Sequence, residues 1–216
     1  MEHKQYIERA LATESRPAKV NIGPITLHMA LNFMVAAGDA MNEIKRGLFY
    51  GPDKLNVETL QHGLAGTHAL SNLLAGMVHR GVHFDADDKK VFEEGQVDPR
   101  AANLDPSKIN LRLLHAAIGH FTESSEKIAA LLKQYETGEL DKVNYGEEMG
   151  DGEWYAAIEY DELGLTPEGA RQANIDKLQS KQKGRYKDGT FSGEAAVDNR
   201  DVGAERQVLE SSLATA

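Results

Sequence analysis

The stretch SKINLRLLHAAIGHFTESSEKIAALLKQY, residues 107–135, decides the fold. Its apolar residues Leu111, Leu114, Ile118, Phe121, Ile128 and Leu132 recur at steps of three, four and seven, the stripe of an amphipathic helix. Working outward, residues 26–46 carry the same pattern in Leu27, Leu31, Met34, Val35, Met41 and Ile44. Residues 57–79 repeat it in Leu60, Leu64, Leu70, Leu73, Leu74 and Val78, and a fourth helix spans about 143–163. A fifth starts at Thr166-Pro167-Glu168, with Thr166 as N-cap, Pro167 in the first turn and Glu168 at the positive end of the dipole. Strand signals are weak, because runs of β-branched residues are absent. Breaks fall at Gly51-Pro52, at 84–103 and at 184–193. The expectation is an all-α, antiparallel helical bundle.

At 216 residues the chain is one ordinary domain or two small ones. Lys and Arg number 24 against 34 Asp and Glu, a net charge of −10. That balance disfavours a nucleic-acid polymer or an anionic membrane as partner, since both would be repelled. No cysteine is present, which excludes disulfides, zinc–thiolate sites and thiol catalysis. The start, MEHKQYIERA, lacks the apolar run of a signal peptide. The most apolar stretch, Leu27 to Ala37, is broken by His28 and Asn32, well short of a membrane span. A soluble, cytoplasmic, acidic protein is expected, with any metal held by carboxylate or histidine.

The halves echo one another. Leu27-His28-Met29-Ala30-Leu31 lies 87 residues before Leu114-His115-Ala116-Ala117-Ile118. Asp53-Lys54-Leu55-Asn56 lies 88 residues before Asp141-Lys142-Val143-Asn144. A duplicated helical hairpin and two amphipathic helices of similar composition both account for this match.

The chemistry-bearing pattern is a set of acids. Glu123 and Glu126 stand three apart on the third helix, and Glu148 and Asp151 three apart on the fourth. Each pair shares a helix face, one turn apart, so two antiparallel helices joined by the turn 136–141 present four carboxylates to one groove. Such a group repels itself unless a hard cation sits in it, and Mg²⁺ takes oxygen ligands. Glu-x-x-Glu alone is a loose pattern: it also occurs at Glu136/Glu139 and Glu159/Glu162, where a solvated charged face is the ordinary reading. The first pair differs in lying among Phe121, Ile128 and Leu132, while Asp151 precedes Trp154-Tyr155-Ala156-Ala157-Ile158.

These strings, Leu113-Leu114-His115-Ala116-Ala117 through Glu123-Ser124-Ser125-Glu126 and Glu147-Glu148-Met149-Gly150-Asp151-Gly152-Glu153-Trp154-Tyr155, resemble the MazG-like all-α nucleoside triphosphate pyrophosphohydrolases. Asn174-Ile175-Asp176-Lys177-Leu178 is similar to that family's N-x-x-K-L. The tail around Arg185-Tyr186-Lys187-Asp188-Gly189, with Asn199-Arg200-Asp201 and Glu205-Arg206, resembles phage-encoded members, which would place the chain in a host cytoplasm. The resemblance covers about Leu111 to Glu210. It implies a catalytic half with a C-terminal tail at 103–216; the N-terminal helical half at 1–102 then reads either as a degenerate repeat or as helices alike by composition alone.

By resemblance, Glu123, Glu126, Glu148 and Asp151 bind Mg²⁺, with Mn²⁺ as a substitute. Asn174 and Lys177 approach the substrate phosphates, and either Arg185 or Lys181 fills a further basic position. Tyr155 either stacks on the base or packs in the core, while Trp154 packs in the core. The reaction implied is metal-assisted hydrolysis between the α and β phosphates of a (d)NTP, giving (d)NMP and pyrophosphate. One of Glu123 and Glu126 serves as general base, Glu123 being preferred. The partners implied are a nucleoside triphosphate and a further copy of the chain in a dimer or higher homo-oligomer.

Narrower readings are a dUTP, dCTP or phosphoribosyl-ATP hydrolase; from another class comes a catalytically silent helical interaction module. The chain departs from the family pattern at Gly152 and Glu153, where apolar residues are usual, at Ser124-Ser125, and at the extra residues 180–184. In the N-terminal half, Ala36, Asp39, Gln61 and Leu64 stand where the four acids would be. Other motifs are poorer. His79 and His83 lack a third ligand, Asp85-Ala86-Asp87-Asp88 lacks the glycine of a calcium loop, and no Glu-x-x-His, Walker A or nucleophile-elbow motif occurs.

Overall fold

A computed structural model describes residues 2–19, 22–79, 104–179, 186–187, 190–191 and 202–213. Among these the chain is all-α, as the periodicity predicts. Its helices are α1 (His3–Leu11), α2 (Pro24–Tyr50), α3 (Val57–His79), α4 (Leu111–Thr137), α5 (Lys142–Leu163), α6 (Pro167–Gln179) and α7 (Val202–Leu213). The strands β1 (Tyr186–Lys187) and β2 (Thr190–Phe191) are a two-residue antiparallel pair, with Tyr186 opposite Phe191. No described helix is long and apolar enough to cross a membrane.

The chain divides into two compact units, residues 18–109 and residues 1–17 together with 110–216. The first 17 residues thus pack with the C-terminal half, a different division from one at 102/103. The reason is α1, which lies on α5. There the Trp154 indole Nε1 donates to the Ala10 carbonyl at 3.2 Å and to Thr13 Oγ1 at 2.8 Å. The polar composition of α1, with only Ala10 buried, hides it from a search for apolar periodicity.

In unit 18–109, α2 and α3 form a hairpin. Gly51 ends α2 at φ +113°, in the positive-φ region that glycine enters without steric cost, and a 3₁₀ turn at Pro52–Lys54 reverses the chain. Asn56 caps α3, its Oδ1 accepting from Thr59 N at 2.9 Å. The buried Glu43 braces the turn: one oxygen accepts from Asn56 N at 2.8 Å and the other from Arg46 Nη1 at 3.0 Å. The two helices touch closely at Gly63, where a Cβ would stand 2.8 Å from Ala40 N and 2.9 Å from the Ala36 carbonyl oxygen.

In the other unit, α4 and α5 form a second hairpin. Asn110 caps α4 and Asp141 caps α5, each side chain accepting two backbone N–H bonds. Gly138 and Gly164 end the two helices in the left-handed conformation. The predicted start at Ser107 moves to Leu111, because Pro106–Lys108 forms a separate 3₁₀ turn under an Asp105 cap. Thr166 caps α6 as expected, accepting from Gly169 N at 3.0 Å. Helix α7 packs on α6, where Ser212 Oγ donates to Asp176 Oδ2 at 3.0 Å.

Arg112 ties this unit together. Its Nε and Nη2 donate to the two Glu14 oxygens at 2.7 and 2.9 Å, and Nη1 donates to Glu162 Oε2 at 2.7 Å. Its Nη2 also meets Asp161 Oδ2 at 2.7 Å, so one guanidinium joins the residues after α1 to the end of α5. The Glu14 side chain is 1% exposed, and the Arg112 hydrogen bonds hold its pKa below the ordinary carboxylate range. Glu162 is likewise lowered, first by the Asn110 amide and then by Arg112.

Two expectations follow from these contacts. Gly63→Ala forces backbone apart and lowers stability by about 1–3 kcal/mol in urea unfolding, whereas Gly38→Ala, with open space around it, stabilises by up to about 1 kcal/mol. Arg112→Met leaves Glu14 buried with Arg16 as its remaining partner, at 2.8 Å. The expected loss at pH 7 is roughly 2–3 kcal/mol, below the range for a wholly unpaired buried charge. Because the folded Glu14 and Glu162 pKa values are depressed, their contribution is present above the unfolded value of about 4.3 and disappears as pH falls through the folded values. The gap between wild type and Arg112→Met therefore narrows below about pH 4 in unfolding titrations.

Candidate metal centre

The inner face of α4 presents Ala116, Gly119, Glu123 and Ala130, all buried, at steps of three, four and seven. On α5 the buried residues are Glu148, Gly152, Ala157 and Ile158. Small residues line both inner faces, and each helix places one glutamate in the contact. Glu123 is 8% and Glu148 5% exposed. Together with the exposed Asp151, one oxygen from each lies within 4.8 Å of the others.

These acids carry little compensation from the protein. Thr122 Oγ1 donates to Glu123 Oε1 at 3.2 Å, and none of the three acids has an ion-pair partner among the described residues. The Glu148 pKa is pushed up to about 7. Burial is the largest cause, followed by a hydrogen bond with the Glu123 carboxylate and the charges of Glu126, Glu123 and Glu147. The donor set is all oxygen and anionic, which fits a hard divalent cation and not a soft one.

The sequence-derived residues distribute as follows. Glu123, Glu148 and Asp151 come together; Glu126 does not join them. It is exposed at the edge of α4, close enough for its charge to act on Glu148 and Tyr155. Tyr155 lies beside the acids, its hydroxyl pKa raised by burial and then by the charges of Glu123, Asp151 and Glu126. Its ring packs edge-on to His115 and Trp154, at centroid distances of 5.5 and 4.9 Å, and lies against Gly119, where a Cβ would overlap it. Asn174 is exposed and Lys177 half-buried on α6, whose main packing partner is α7 and not the α4–α5 pair. Arg185, Lys181, His83 and Asp85–Asp88 lie outside the described residues, as does the His79 side chain.

Three neighbours of the acids were not singled out by the acidic pattern. Gly119 seats Tyr155; His120 Nε2 pairs with Glu159 Oε2 at 3.2 Å; Lys127 is half-buried one turn after Glu123. The available signal was their spacing from Glu123, at −4, −3 and +4, which puts all three on its face. In the other hairpin Ala36, in the place of Glu123, faces Gly63 and Gly66, and the described residues hold no second cluster of three acids. No family model, curated protein or solved structure matches this chain.

Proposed function

We propose that this chain is a Mg²⁺-dependent nucleoside triphosphate pyrophosphohydrolase of the MazG-like type, cleaving (d)NTP between the α and β phosphates to (d)NMP and pyrophosphate. The observation that carries the reading is the convergence of Glu123, Glu148 and Asp151 between two helices without a basic partner. Two buried, adjacent glutamates are unfavourable by themselves, and a divalent cation is the simplest charge that reverses the sign. Bound there, Mg²⁺ would neutralise phosphate charge and lower the pKa of an attacking water.

The chain's own residues divide the remaining work. Glu123, Glu148 and Asp151 hold the cation. Glu126, exposed beside them and outside the trio, is the carboxylate left to accept a proton, so the general base passes from Glu123 to Glu126. Tyr155 borders the site with the edge of an aromatic cluster that favours a planar base. Asn174, Lys177 and Arg185 keep the substrate-binding roles that the resemblance implies and rest on it alone.

The paired hairpins support an ancestral duplication whose first copy lost its acids. Both open with a 27-residue helix, followed by one of 23 and one of 22 residues. Exposed Met41 and Leu48 on α2 stand 87 residues before exposed Ile128 and Tyr135 on α4. On α4, exposed Phe121, Ile128 and Tyr135 recur every seven residues, with Leu131 and Leu132 alongside. A heptad seam of this kind suits pairing with another helix, and the chain is proposed to self-associate through it.

Incubating the full chain with each NTP and dNTP in Mg²⁺ should release pyrophosphate from at least one, and Glu148→Gln should lower the rate at least 100-fold. Wild type should also gain about 2.7 kcal/mol of stability at a Mg²⁺ concentration 100 times its Kd, a gain absent from Glu148→Gln. Release from no nucleotide overturns the enzymatic reading. By light scattering after size exclusion, the chain should run as a dimer or higher and Ile128→Glu should shift it toward monomer; a monomeric wild type overturns self-association.

A further inference from the structure

We infer that Lys127 is the cation that receives the polyphosphate at this site, beside Gly152. The inference rests on the proposed reading of the carboxylate trio as a Mg²⁺–triphosphate site and deepens it by naming a substrate-binding residue.

Lys127 follows Glu123 by four residues, the spacing and order at which a glutamate and a lysine pair most readily on a helix. It also follows Glu126 directly in the chain. Yet Lys127 forms no ion pair or hydrogen bond among the described residues. Its half-buried stem lies in the α4–α5 contact, and its Nζ stands 3.8 Å from the point a Cβ on Gly152 would occupy. His120 Nδ1 stands 3.9 Å from the same point. The far side of that imidazole is fixed, since Nε2 meets Glu159 Oε2 at 3.2 Å, so the ring turns Nδ1 toward Lys127's end of the groove.

Gly152 itself is the second observation. It is buried in the interior of a 22-residue helix, where glycine costs about 1 kcal/mol relative to alanine. A methyl group would meet only ordinary contacts there; a larger side chain would press on the Lys127 ammonium and the His120 ring. The glycine leaves a notch the size of a methyl group, with a nitrogen of each residue at its rim. Gly152 follows Asp151 directly and lies one turn beyond Glu148, so the notch adjoins the oxygens of the trio. A triphosphate chelated through those acids would extend its remaining oxygens toward an uncommitted positive charge on the same helix face, and among the described residues Lys127 offers one. Lysine suits this role as a point charge on a flexible stem. His120 acts as a positioning residue, held by Glu159 and bordering the notch.

The test uses the full chain with Lys127→Met, Lys127→Arg and Gly152→Val. Expected for Lys127→Met is a KM for the hydrolysed nucleotide at least tenfold higher, with inorganic tripolyphosphate binding in Mg²⁺ weakened at least tenfold by calorimetry. The Mg²⁺-induced rise in Tm should stay as in wild type. Lys127→Arg should retain KM within about threefold. Gly152→Val, which keeps both basic residues but fills the notch, should weaken tripolyphosphate as Lys127→Met does. Unchanged KM and tripolyphosphate binding in Lys127→Met overturn the inference, as does loss of the Mg²⁺-induced Tm rise, which would make the lysine a structural part of the carboxylate site. If Lys127→Met does not fold, Lys127→Arg and Gly152→Val decide by the same measures. If wild type hydrolyses no nucleotide, the enzymatic reading falls alone. Tripolyphosphate binding then decides for Lys127: bound by wild type and lost in Lys127→Met, it stands; not bound by wild type, it falls.

Discussion

Two glutamates, Glu123 and Glu148, are buried against one another where α4 meets α5, and the contacts of the unit 1–17 with 110–216 have to hold in spite of them. Charges of one sign in a close helix contact push the helices apart. What opposes that push is distributed along the hairpin. Gly119 leaves room for the Tyr155 ring, and Gly152 leaves space beside Lys127 Nζ and His120 Nδ1. At one end, Arg112 binds Glu14, Asp161 and Glu162; at the other, Gly138 and the Asp141 cap hold the turn tight. The unfavourable contact is framed by favourable ones.

The α2–α3 hairpin shows the alternative solution. Its helices meet through Ala36, Ala40, Gly63 and Gly66, with no acid in the contact. Its buried acid, Glu43, is fully employed by Arg46 and Asn56 at the turn. Two hairpins with first helices of equal length therefore use their interfaces differently. One is closed by small residues touching backbone; the other holds oxygens apart at a distance suited to a shared cation.

Much of the fold was legible in the residues because apolar periodicity reports burial directly. Helix α3 spans Val57–His79 as expected, and α5 begins one residue before its expected start. Helices α1 and α7 escaped because they bury little: Ala10 in one and Glu205 in the other. The candidate site was legible in part. A three-residue step turns a helix by about 300°, which leaves Glu126 about 60° away from Glu123. Where α4 meets its neighbour through Ala116, Gly119, Glu123 and Ala130, that offset carries Glu126 to the edge and out of the trio. Asp151 has the same offset from Glu148 and is also exposed, yet its oxygen still reaches the trio. The residue pattern specifies which acids share a face; which of them converge depends on the rotation of each helix about its axis, set by packing.

The same geometry changes the meaning of the net charge. A chain at −10 repels polyanions at a distance, and a nucleoside triphosphate is a polyanion. Long-range repulsion is screened within roughly 8 Å at physiological ionic strength, so local charge decides whether a small ligand is held. Locally the trio is an anion that draws in divalent cations, while Lys127 and His120 at the Gly152 notch supply nitrogen on its flank. On the proposed function, a free nucleotide arriving with its metal would meet both. A nucleic-acid polymer would have to lay many phosphates along an acidic surface to reach the same point, and each added phosphate works against it. On that reading, the contrast between the net acidic chain and this one locality would favour a short polyphosphate over a long one.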